Sequence, residues 1–258
     1  MDTRRPVRQV AERRKHVEIE VMTETSEMTE DGLGAEFEGL KVPASPFLSP
    51  KFASWIRKGN YERPERKLAE KLTRPGDRVV EMGAGIGFVG GYTAFKKPGL
   101  QLRSFEANPA LIPHIEELYE INGLSDRARV DNKLLIANPD RPDHIKFHIH
   151  GSYLGSSVYE VGKPENPKYE IPTMGWDDLT AAFKPDVLVM DIEGAELDFL
   201  THADVSGLRA IIVEMHPKIF GKEGEAACIE ALRSKGMVQA HHRMQVYSFV
   251  PEGADFPR

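Results

Sequence analysis

Two apolar segments of the chain end in side chains that can carry a proton or a charge. The segment VLVMDIEGAELDFL, residues 187–200, begins as an apolar strand and then turns acidic at Asp191 and Glu193. The segment LRAIIVEMHP ends with Glu214 and His216. If both are neighbouring parallel strands, their carboxyl ends meet at one edge of the sheet, where ligands bind in open α/β folds. We therefore expect these four side chains to converge beside a ligand crevice.

His216 has the side chain best suited to act as a base near neutral pH. Glu214 and His216 are two residues apart, so on an extended strand they face the same side. Asp191 is our first choice among the acids for a part in the reaction, and Glu193 is the second. Glu196 is predicted instead to complement the positive N-terminal end of the following helix. The same atoms could hold a divalent ion such as Mg²⁺, but the spacing does not require one, so a metal is not favoured.

A glycine-rich loop forms a second candidate site. The stretch VVEMGAGIGFVGG places Gly83, Gly85 and Gly87 between an apolar strand and a helix. Glycines there let the backbone turn tightly and approach a ligand closely. Glu81 precedes this loop. Glu106 ends the next predicted strand, where a carboxylate can accept hydrogen bonds from a ribose diol.

Two nucleotide-type ligands are compatible with this loop. The stretch GIGFVG fits the dinucleotide pattern G-x-G-x-x-G. The longer pattern E-x-G-x-G-x-G resembles the first motif of class I S-adenosylmethionine-dependent methyltransferases, whose methyl donor carries an ammonium and a sulfonium beside the acid. Two features favour the methyl donor. The loop follows the first strand of the alternating region, and the chain ends in a predicted hairpin, MVQAHHR with QVYSFVP, as those enzymes do.

The order of apolar segments predicts the fold class. From residue 77 onward, short apolar runs alternate with helical segments, which indicates an α/β, Rossmann-like, mostly parallel sheet with helices on both faces and an antiparallel edge strand from the final hairpin. Ahead of it, HVEIEVM and EFEGLKV show strand periodicity and predict an N-terminal β-hairpin. We divide the chain into a basic flexible tail (1–15), the hairpin with its connector (16–58) and the methyltransferase domain (59–258).

Composition excludes several classes of protein. The chain has 258 residues, 40% of them hydrophobic, which suits one sizeable domain. The net charge of −6 disfavours a nucleic acid partner, and no run of about 18 apolar residues suggests a membrane span. The N-terminus has no apolar segment typical of a secretory signal. The single cysteine, Cys228, excludes an internal disulfide and a cysteine-based zinc site, so we expect a reducing compartment, the cytoplasm.

With these residues in place, the chain resembles the FkbM family of methyltransferases from about residue 59 to 217. The resemblance rests on Tyr61-Glu62 and on the stretches VVEMGAGIGF, FEANP and MDIEGAELDFL, with support from IIVEMHP. Family members more often have Asp-Ile-Gly-Ala-Asn in the glycine motif, where this chain has Glu81 and Gly85. Many also have a Lys where this chain has Met190, which leaves the acceptor open.

The resemblance implies a Rossmann-like methyltransferase that binds S-adenosylmethionine and methylates a hydroxyl oxygen on a small molecule, natural product or sugar. It also implies further residues at the donor site, beyond the glycines, acids and Asp191 discussed above: Tyr61, Glu62, Ala84, Ala107, Asn108 and Ser157. The insert HIHGSYLGSSVYEVGKPENPKYEIPTMGW, the most loop-like part of the domain, is expected to cover the acceptor or the adenosine half of the donor.

Two other functions stay open from the sequence. One is a nicotinamide-dependent oxidoreductase that uses the same glycine loop. The other is a non-catalytic ligand-binding module on the same fold. N-methylation is also compatible with the residues, and the N-terminal hairpin offers a contact surface for a homo-oligomer.

Overall fold

A seven-stranded sheet forms the centre of the protein in a computed structural model that describes residues 32–148 and 168–254. The predicted basic tail, the strand HVEIEVM and Ser157 lie outside these ranges. The helices and strands, numbered along the chain, are β1 Leu33–Phe37, β2 Leu40–Pro43, α1 Pro50–Arg57, α2 Arg63–Leu72, β3 Arg78–Met82, α3 Phe88–Lys96, β4 Gln101–Phe105, α4 Ile112–Ile121, β5 Ala128–Asp131, β6 Leu134–Ile136, β7 His144–His148, β8 Lys168–Gly175, α5 Trp176–Phe183, β9 Val187–Met190, α6 Glu196–His202, β10 Ala210–Glu214, α7 Pro217–Ser234, β11 Met237–Arg243 and β12 Val246–Pro251.

The strand order confirms the predicted Rossmann-like architecture. The order is β11-β12-β10-β9-β3-β4-β5, and β10, β9, β3, β4 and β5 run parallel. The chain leaves β3 toward β4 on one side and returns to β9 on the other, so a crevice opens at the carboxyl ends of β3 and β9. The final hairpin adds an antiparallel strand, as predicted: β12 runs antiparallel to β10 and lies between β10 and the edge strand β11.

Two hydrophobic clusters cover the two faces of the sheet. All four residues of β9 are buried, as expected for a central parallel strand that is covered on both sides. Val189 faces the cluster that contains α2, α3 and α4, whereas Leu188 and Met190 face the cluster with α5, α6 and α7. Trp176 is fully buried in the second cluster. Cys228 is buried there too, and burial raises its pKa to about 12.

The N-terminal hairpin is present but is built from different residues than predicted. EFEGLKV was expected to form one strand, whereas β1 and β2 pair within LGAEFEGLKVP around a turn at Glu38 and Gly39. Both turn residues have positive φ, 48° and 88°, which suits a tight hairpin. Leu40 and Val42 are completely buried in the cluster that contains α2 and α3, so the hairpin shares the core of the main domain.

A second, three-stranded sheet lies beside the carboxyl edge of β4. Its order is β6-β8-β7. The apolar stretch ARVDNKLLI forms two strands, β5 of the main sheet and β6 of the small one. The insert was predicted to be loop-like up to its end, which is wrong for residues 168–175, because they form β8. Within the described ranges, no helix combines the length and apolar character needed to cross a membrane.

Candidate functional site

The glycine loop passes so close to β9 that only glycine fits its first position. Gly83 has φ +79°, and a Cβ atom there would collide with the backbone carbonyl oxygen of Asp191. Its N–H donates to the carbonyl of Phe105 at 2.9 Å, and Asp191 N–H donates to Met82 at 2.9 Å. Gly85 has φ +55° and open space where its Cβ would be. The loop is therefore held between β4 and β9 and exposes its backbone at Gly85.

Glu81 stabilises the segments on either side of the loop through hydrogen bonds. Its Oε1 accepts from Gly90 N–H at 2.6 Å, and its Oε2 accepts from the Ser104 hydroxyl at 2.6 Å. Burial raises its pKa to about 7, although both hydrogen bonds act in the opposite direction. A side chain at Gly90 would overlap this carboxylate. Glu81 therefore joins β3 to the start of α3, and its predicted contact with the donor ammonium stays a prediction.

Glu106 occupies the predicted position at the end of β4. Its Oε2 accepts from Gly85 N–H at 2.9 Å, and its Oε1 accepts from Asn108 N–H at 2.7 Å. Burial raises its pKa to about 7. Because a carboxylate oxygen can accept more than one hydrogen bond, Glu106 retains acceptor capacity toward a ligand hydroxyl.

A cavity of about 260 Å³ lies between this edge of the main sheet and the small sheet. Backbone of the glycine loop, five carboxylates and the side chain of Lys133 line its polar side, and side chains of β6 and β7 line its apolar side. The lining includes Glu62, Gly83, Gly85, Glu106, Ala107, Asp191 and Glu193, with Phe105, Leu134, Ile136, Ile145, Phe147 and Ile192. This combination of apolar wall and few convergent polar groups is typical of a small-molecule site.

The other predicted donor residues have supporting positions. Tyr61 is 3% exposed and packs edge-on against the rings of Phe52 and Phe88. Gly87 starts α3 with φ +76°, and Asn108 turns the chain after Glu106. Ala84 lines a smaller neighbouring cavity.

The ends of β9 and β10 bring Asp191, Glu193 and His216 together, as expected. Nε2 of His216 is 3.6 Å from Oδ1 of Asp191 and 3.3 Å from Oε2 of Glu193. Glu193 has φ +53° and Gly194 has φ +107°, so the chain turns sharply there. His216 begins α7. Asp191 Oδ1 is buried and has no hydrogen-bond partner among the residues that the structure describes.

Glu196 was missed by sequence reasoning as a partner of His216. It is completely buried, and its Oε1 lies 2.7 Å from His216 Nδ1 and accepts from Gly194 N–H at 3.1 Å. A carboxylate in this position favours the tautomer with hydrogen on Nδ1, which directs the Nε2 lone pair toward Asp191 and Glu193. The spacing Asp-x-Glu-Gly-x-Glu was visible in the sequence, but the inward direction of Glu196 was not.

The charges around His216 perturb one another strongly. Burial, followed by the charges of Glu214, Glu193 and Glu62, raises the pKa of Asp191 well above its ordinary value. For His216, burial alone would lower the pKa, but the hydrogen bond to Glu196 and the neighbouring carboxylates raise it overall. The cluster is therefore rich in negative charge and suited to a cation or to proton transfer.

Asp191, Glu193 and His216 could also hold a metal ion. One ligand atom from each lies within 4.8 Å of the others. Two carboxylates and an imidazole are ligands suited to hard or borderline divalent cations. A protonated His216 paired with the surrounding carboxylates accounts for the same distances without a metal ion.

Glu214 faces a different neighbour than predicted. It lies close enough to Glu65 of α2 for their carboxyl groups to share a hydrogen bond, although its charge still acts on Asp191 and His216. Burial raises the pKa of Glu65 to about 7.

Glu62 is a further acid at this edge of the sheet. Burial raises its pKa to about 8, and its backbone is left-handed with φ 42°. Glu62, Glu65, Glu81 and Asp191 all line one cavity of about 20 Å³ beneath the glycine loop. Glu65 was not predicted as a site residue.

Comparisons with known proteins agree with the resemblance seen in the sequence. Residues 81–247 match the family model described as methyltransferase FkbM domain. No curated protein matches the chain. Solved structures to which the chain is similar include precorrin-6y C5,15-methyltransferase from Geobacter metallireducens, at 13% identity and TM-score 0.44, covering 86% of this chain and 93% of that one.

Two further structures show similar scores. Fibrillarin pre-rRNA processing protein from Methanococcus jannaschii is 12% identical with TM-score 0.44, covering 74% of this chain and 77% of that one. TYW2 from P. horikoshii, in complex with MeSAdo, is 16% identical with TM-score 0.43, covering 86% of this chain and 70% of that one. Because the family model spans well over half of the chain, the protein belongs to the methyltransferase FkbM domain family.

Proposed function

We propose that the protein transfers a methyl group from S-adenosylmethionine to a hydroxyl oxygen on a small molecule, natural product or sugar. The observation that carries the proposal is the single cavity that Gly85, Glu106 and Asp191 share. The exposed backbone at Gly85 matches the methionine part of this donor. The carboxylate of Glu106, at the end of β4, matches the ribose, and the acidic wall at Asp191 matches the sulfonium.

The charge of the site supports this donor over a neutral ligand. S-adenosylmethionine carries an ammonium, a sulfonium and a carboxylate, so its net charge is positive. Glu62 and Asp191 line the cavity, and their pKa values are raised by burial and by neighbouring carboxylates. A bound cation would favour the ionised form of these groups and relieve their mutual repulsion.

The donor supplies a methyl group that is already activated by its attachment to a sulfonium. What the protein must add is alignment of the acceptor oxygen with the methyl carbon, because the reaction is an in-line displacement. As the new O–C bond forms and the S–C bond breaks, the acceptor hydroxyl loses its proton. This proton passes to Nε2 of His216, whose imidazole Glu196 holds through Nδ1.

Asp191 and Glu193 have positioning parts in this proposal. Both lie within 4 Å of His216 Nε2, at 3.6 Å and 3.3 Å, and both line the cavity. Their charge stabilises the imidazolium that forms when His216 accepts the proton. The insert with Ser157 remains predicted to cover the acceptor or the adenosine half of the donor.

The test of the donor is calorimetric titration of the full chain with S-adenosylhomocysteine and, in parallel, with NAD and NADH. We expect micromolar binding of S-adenosylhomocysteine and none of either nicotinamide cofactor. Absence of S-adenosylhomocysteine binding below millimolar concentration would overturn the proposed donor. Binding of NADH in its place would make the oxidoreductase the better candidate.

The acceptor chemistry needs a second experiment. A panel of sugars, nucleotide-linked sugars and hydroxylated natural products is incubated with donor labelled at the methyl group, and labelled products are identified by mass spectrometry. A label on oxygen supports the proposal, and a label only on nitrogen overturns its O-methyl part. Repeating the assay in EDTA decides between His216 as a base and a bound divalent ion, because full activity in EDTA excludes an essential metal.

A further inference from the structure

We propose that the groove between α2 and β11 binds a phosphate or diphosphate group of the methyl acceptor, an inference that rests on the proposed function. The groove has a volume of about 370 Å³. Basic side chains dominate its lining, which consists of Arg63, Pro64, Lys67, Leu68, Glu70, Lys71, His241 and Arg243. We call it the basic groove.

The sequence of α2 creates one wall of the basic groove. Arg63, Lys67 and Lys71 are four residues apart, so they lie in one row along the exposed face of the helix. The row from Arg63 to Lys71 is about 12 Å long at 1.5 Å per residue. The opposite helical face is buried through Ala69 and Leu72. The basic row is therefore fixed in direction by the packing of the helix beneath it.

The edge strand β11 creates the other wall. His241 and Arg243 are two residues apart, both exposed, and both line the groove. His242 between them faces elsewhere, because its ring stacks on Tyr247 at 4.0 Å between centroids. Alternation along the strand thus directs two basic side chains toward the three on α2.

Basic side chains outnumber acidic ones in the lining of the basic groove. Glu70 is the one acid in its lining, and it pairs with Lys67 at 3.7 Å with both side chains solvated. Such an exposed pair contributes little. The whole chain carries a net charge of −6, so this concentration of positive charge runs against the overall composition. Like charges in a helical row repel one another, and a bound dianion would offset that repulsion.

One end of the basic groove lies at the carboxyl edge of the sheet, where the proposed reaction takes place. Arg63 directly follows Glu62, which lines the donor cavity. Arg243 pairs with Val246 of β12, and Val246 pairs with Glu214 at the end of β10. The groove then runs away from this edge along α2. An acceptor could therefore place its hydroxyl near His216 while a charged group at a distance binds in the basic groove.

Phosphate chemistry fits this arrangement better than a carboxylate does. Arginine binds phosphate oxygens in a bidentate manner, and lysines add point charges along the same row. A single carboxylate carries one negative charge, whereas five basic side chains line the groove. The shared feature of the expected acceptors is therefore a phosphate or a diphosphate linked to the group that is methylated.

The test uses inorganic pyrophosphate as the probe and the full chain at low salt. Its affinity is measured by calorimetry for the wild type, for Arg63→Glu/Arg243→Glu and for the control Lys222→Glu/Arg233→Glu. The control reverses two exposed basic residues of α7 outside the groove, so both variants change the net charge equally. We expect the groove variant to weaken pyrophosphate binding at least about tenfold more than the control does.

S-adenosylhomocysteine affinity is measured in the same variants. Unchanged affinity for S-adenosylhomocysteine shows that the variants are folded. Because this measurement tests the donor site and the pyrophosphate measurement tests the basic groove, either proposal can fail without the other. If Arg63→Glu does not fold, Arg63→Gln replaces it. Equal weakening in the two variants, or no pyrophosphate binding by the wild type, would overturn the proposal.

A short single-stranded RNA is titrated as a second probe. Similar affinities for RNA and pyrophosphate support a site for one phosphate or diphosphate. RNA binding more than about a hundredfold tighter, with a steep salt dependence, would show a nucleic acid surface and overturn the small-acceptor proposal.

Discussion

The two halves of the site satisfy their carboxylates in different ways. In the donor half, Glu81 and Glu106 each accept hydrogen bonds from a backbone N–H of the glycine loop or of the helix that follows it. Beside the proposed acceptor, in what we call the acceptor half, Asp191, Glu193 and Glu196 surround the imidazole of His216, and Glu196 also accepts from Gly194 N–H. In the proposed donor half the acids therefore hold the backbone of the glycine loop and of α3, whereas in the proposed acceptor half Asp191 and Glu193 keep charge near His216.

This contrast has a physical cause. Buried carboxylates that accept backbone hydrogen bonds are stabilised in place and fix the segments that donate to them. Burial and neighbouring carboxylates raise the pKa values of Asp191 and Glu193, so the protonation of these two acids responds to whatever charge enters the site. Substitutions in the donor half should therefore change binding or folding, and substitutions in the acceptor half should change turnover.

The largest expected effect is at the contact between the halves. Gly83→Ala should destabilise the protein by at least about 3 kcal/mol or abolish S-adenosylhomocysteine binding, because a Cβ there meets the Asp191 carbonyl. The checks are thermal unfolding and calorimetry. Gly76→Ala is the matched control, since Gly76 has φ +81° but open space around its Cβ position. If Gly83→Ala kept wild-type stability and wild-type affinity for S-adenosylhomocysteine, substitutions in the donor half would not change binding or folding as the comparison of the two halves predicts.

The next effect is confined to the acceptor half. His216→Ala should lower kcat by about 10²- to 10⁴-fold while S-adenosylhomocysteine affinity stays within about threefold. Steady-state kinetics with the acceptor found by the panel, together with calorimetry, measure both quantities. The exposed His242, stacked on Tyr247, provides the control His242→Ala. A collapse of donor affinity in His216→Ala would assign His216 to the donor site or to the scaffold.

A smaller effect should appear in the pH profile of Glu196→Gln. The interaction with Glu196 raises the pKa of His216, so the base form becomes available only at higher pH in the wild type. Without that charge, the acid limb of kcat/KM should move toward lower pH, and kcat should fall because the imidazole is held less firmly. An unchanged acid limb would mean that His216 is not the group that titrates in the reaction.

The smallest expected effect concerns Glu62 at the boundary of the two halves. Its pKa in the free protein is raised to about 8 by burial, and a bound cation would lower it. Donor binding between about pH 6 and 8 therefore releases a proton, and affinity should rise with pH in that window. Glu62→Gln should flatten the rise, as measured by calorimetry at several pH values. An identical slope in the variant would place the titration elsewhere.

Sequence reasoning located the sheet and its carboxyl edge but not every inward-facing acid. Apolar runs such as those of β9 and β10 identify central parallel strands because both faces of such strands are buried. Glu65 and Glu196 lie in the first turns of α2 and α6, where an acid ordinarily faces water. Their burial depends on how α2 packs against β10 and how α6 and α7 meet, which no local pattern reveals.

The small sheet was hidden for a similar reason. The strand β8 has the burial pattern of three exposed residues followed by Ile171 and four half-buried ones, so it lacks strict alternation. Its partners are β7, which precedes an insert, and β6, which follows β5 with only two residues between them. Pairing with distant segments, and not local propensity, makes it a strand.

The buried thiol of Cys228 makes this protein convenient for site-specific labelling. It is the single cysteine of the chain, it has no exposed surface, and its raised pKa keeps it in the unreactive thiol form. A cysteine introduced at Met244, which is 75% exposed beside Arg243, would therefore react alone with a maleimide dye. Fluorescence from that position would report occupancy of the basic groove in a protein whose core needs no prior mutation.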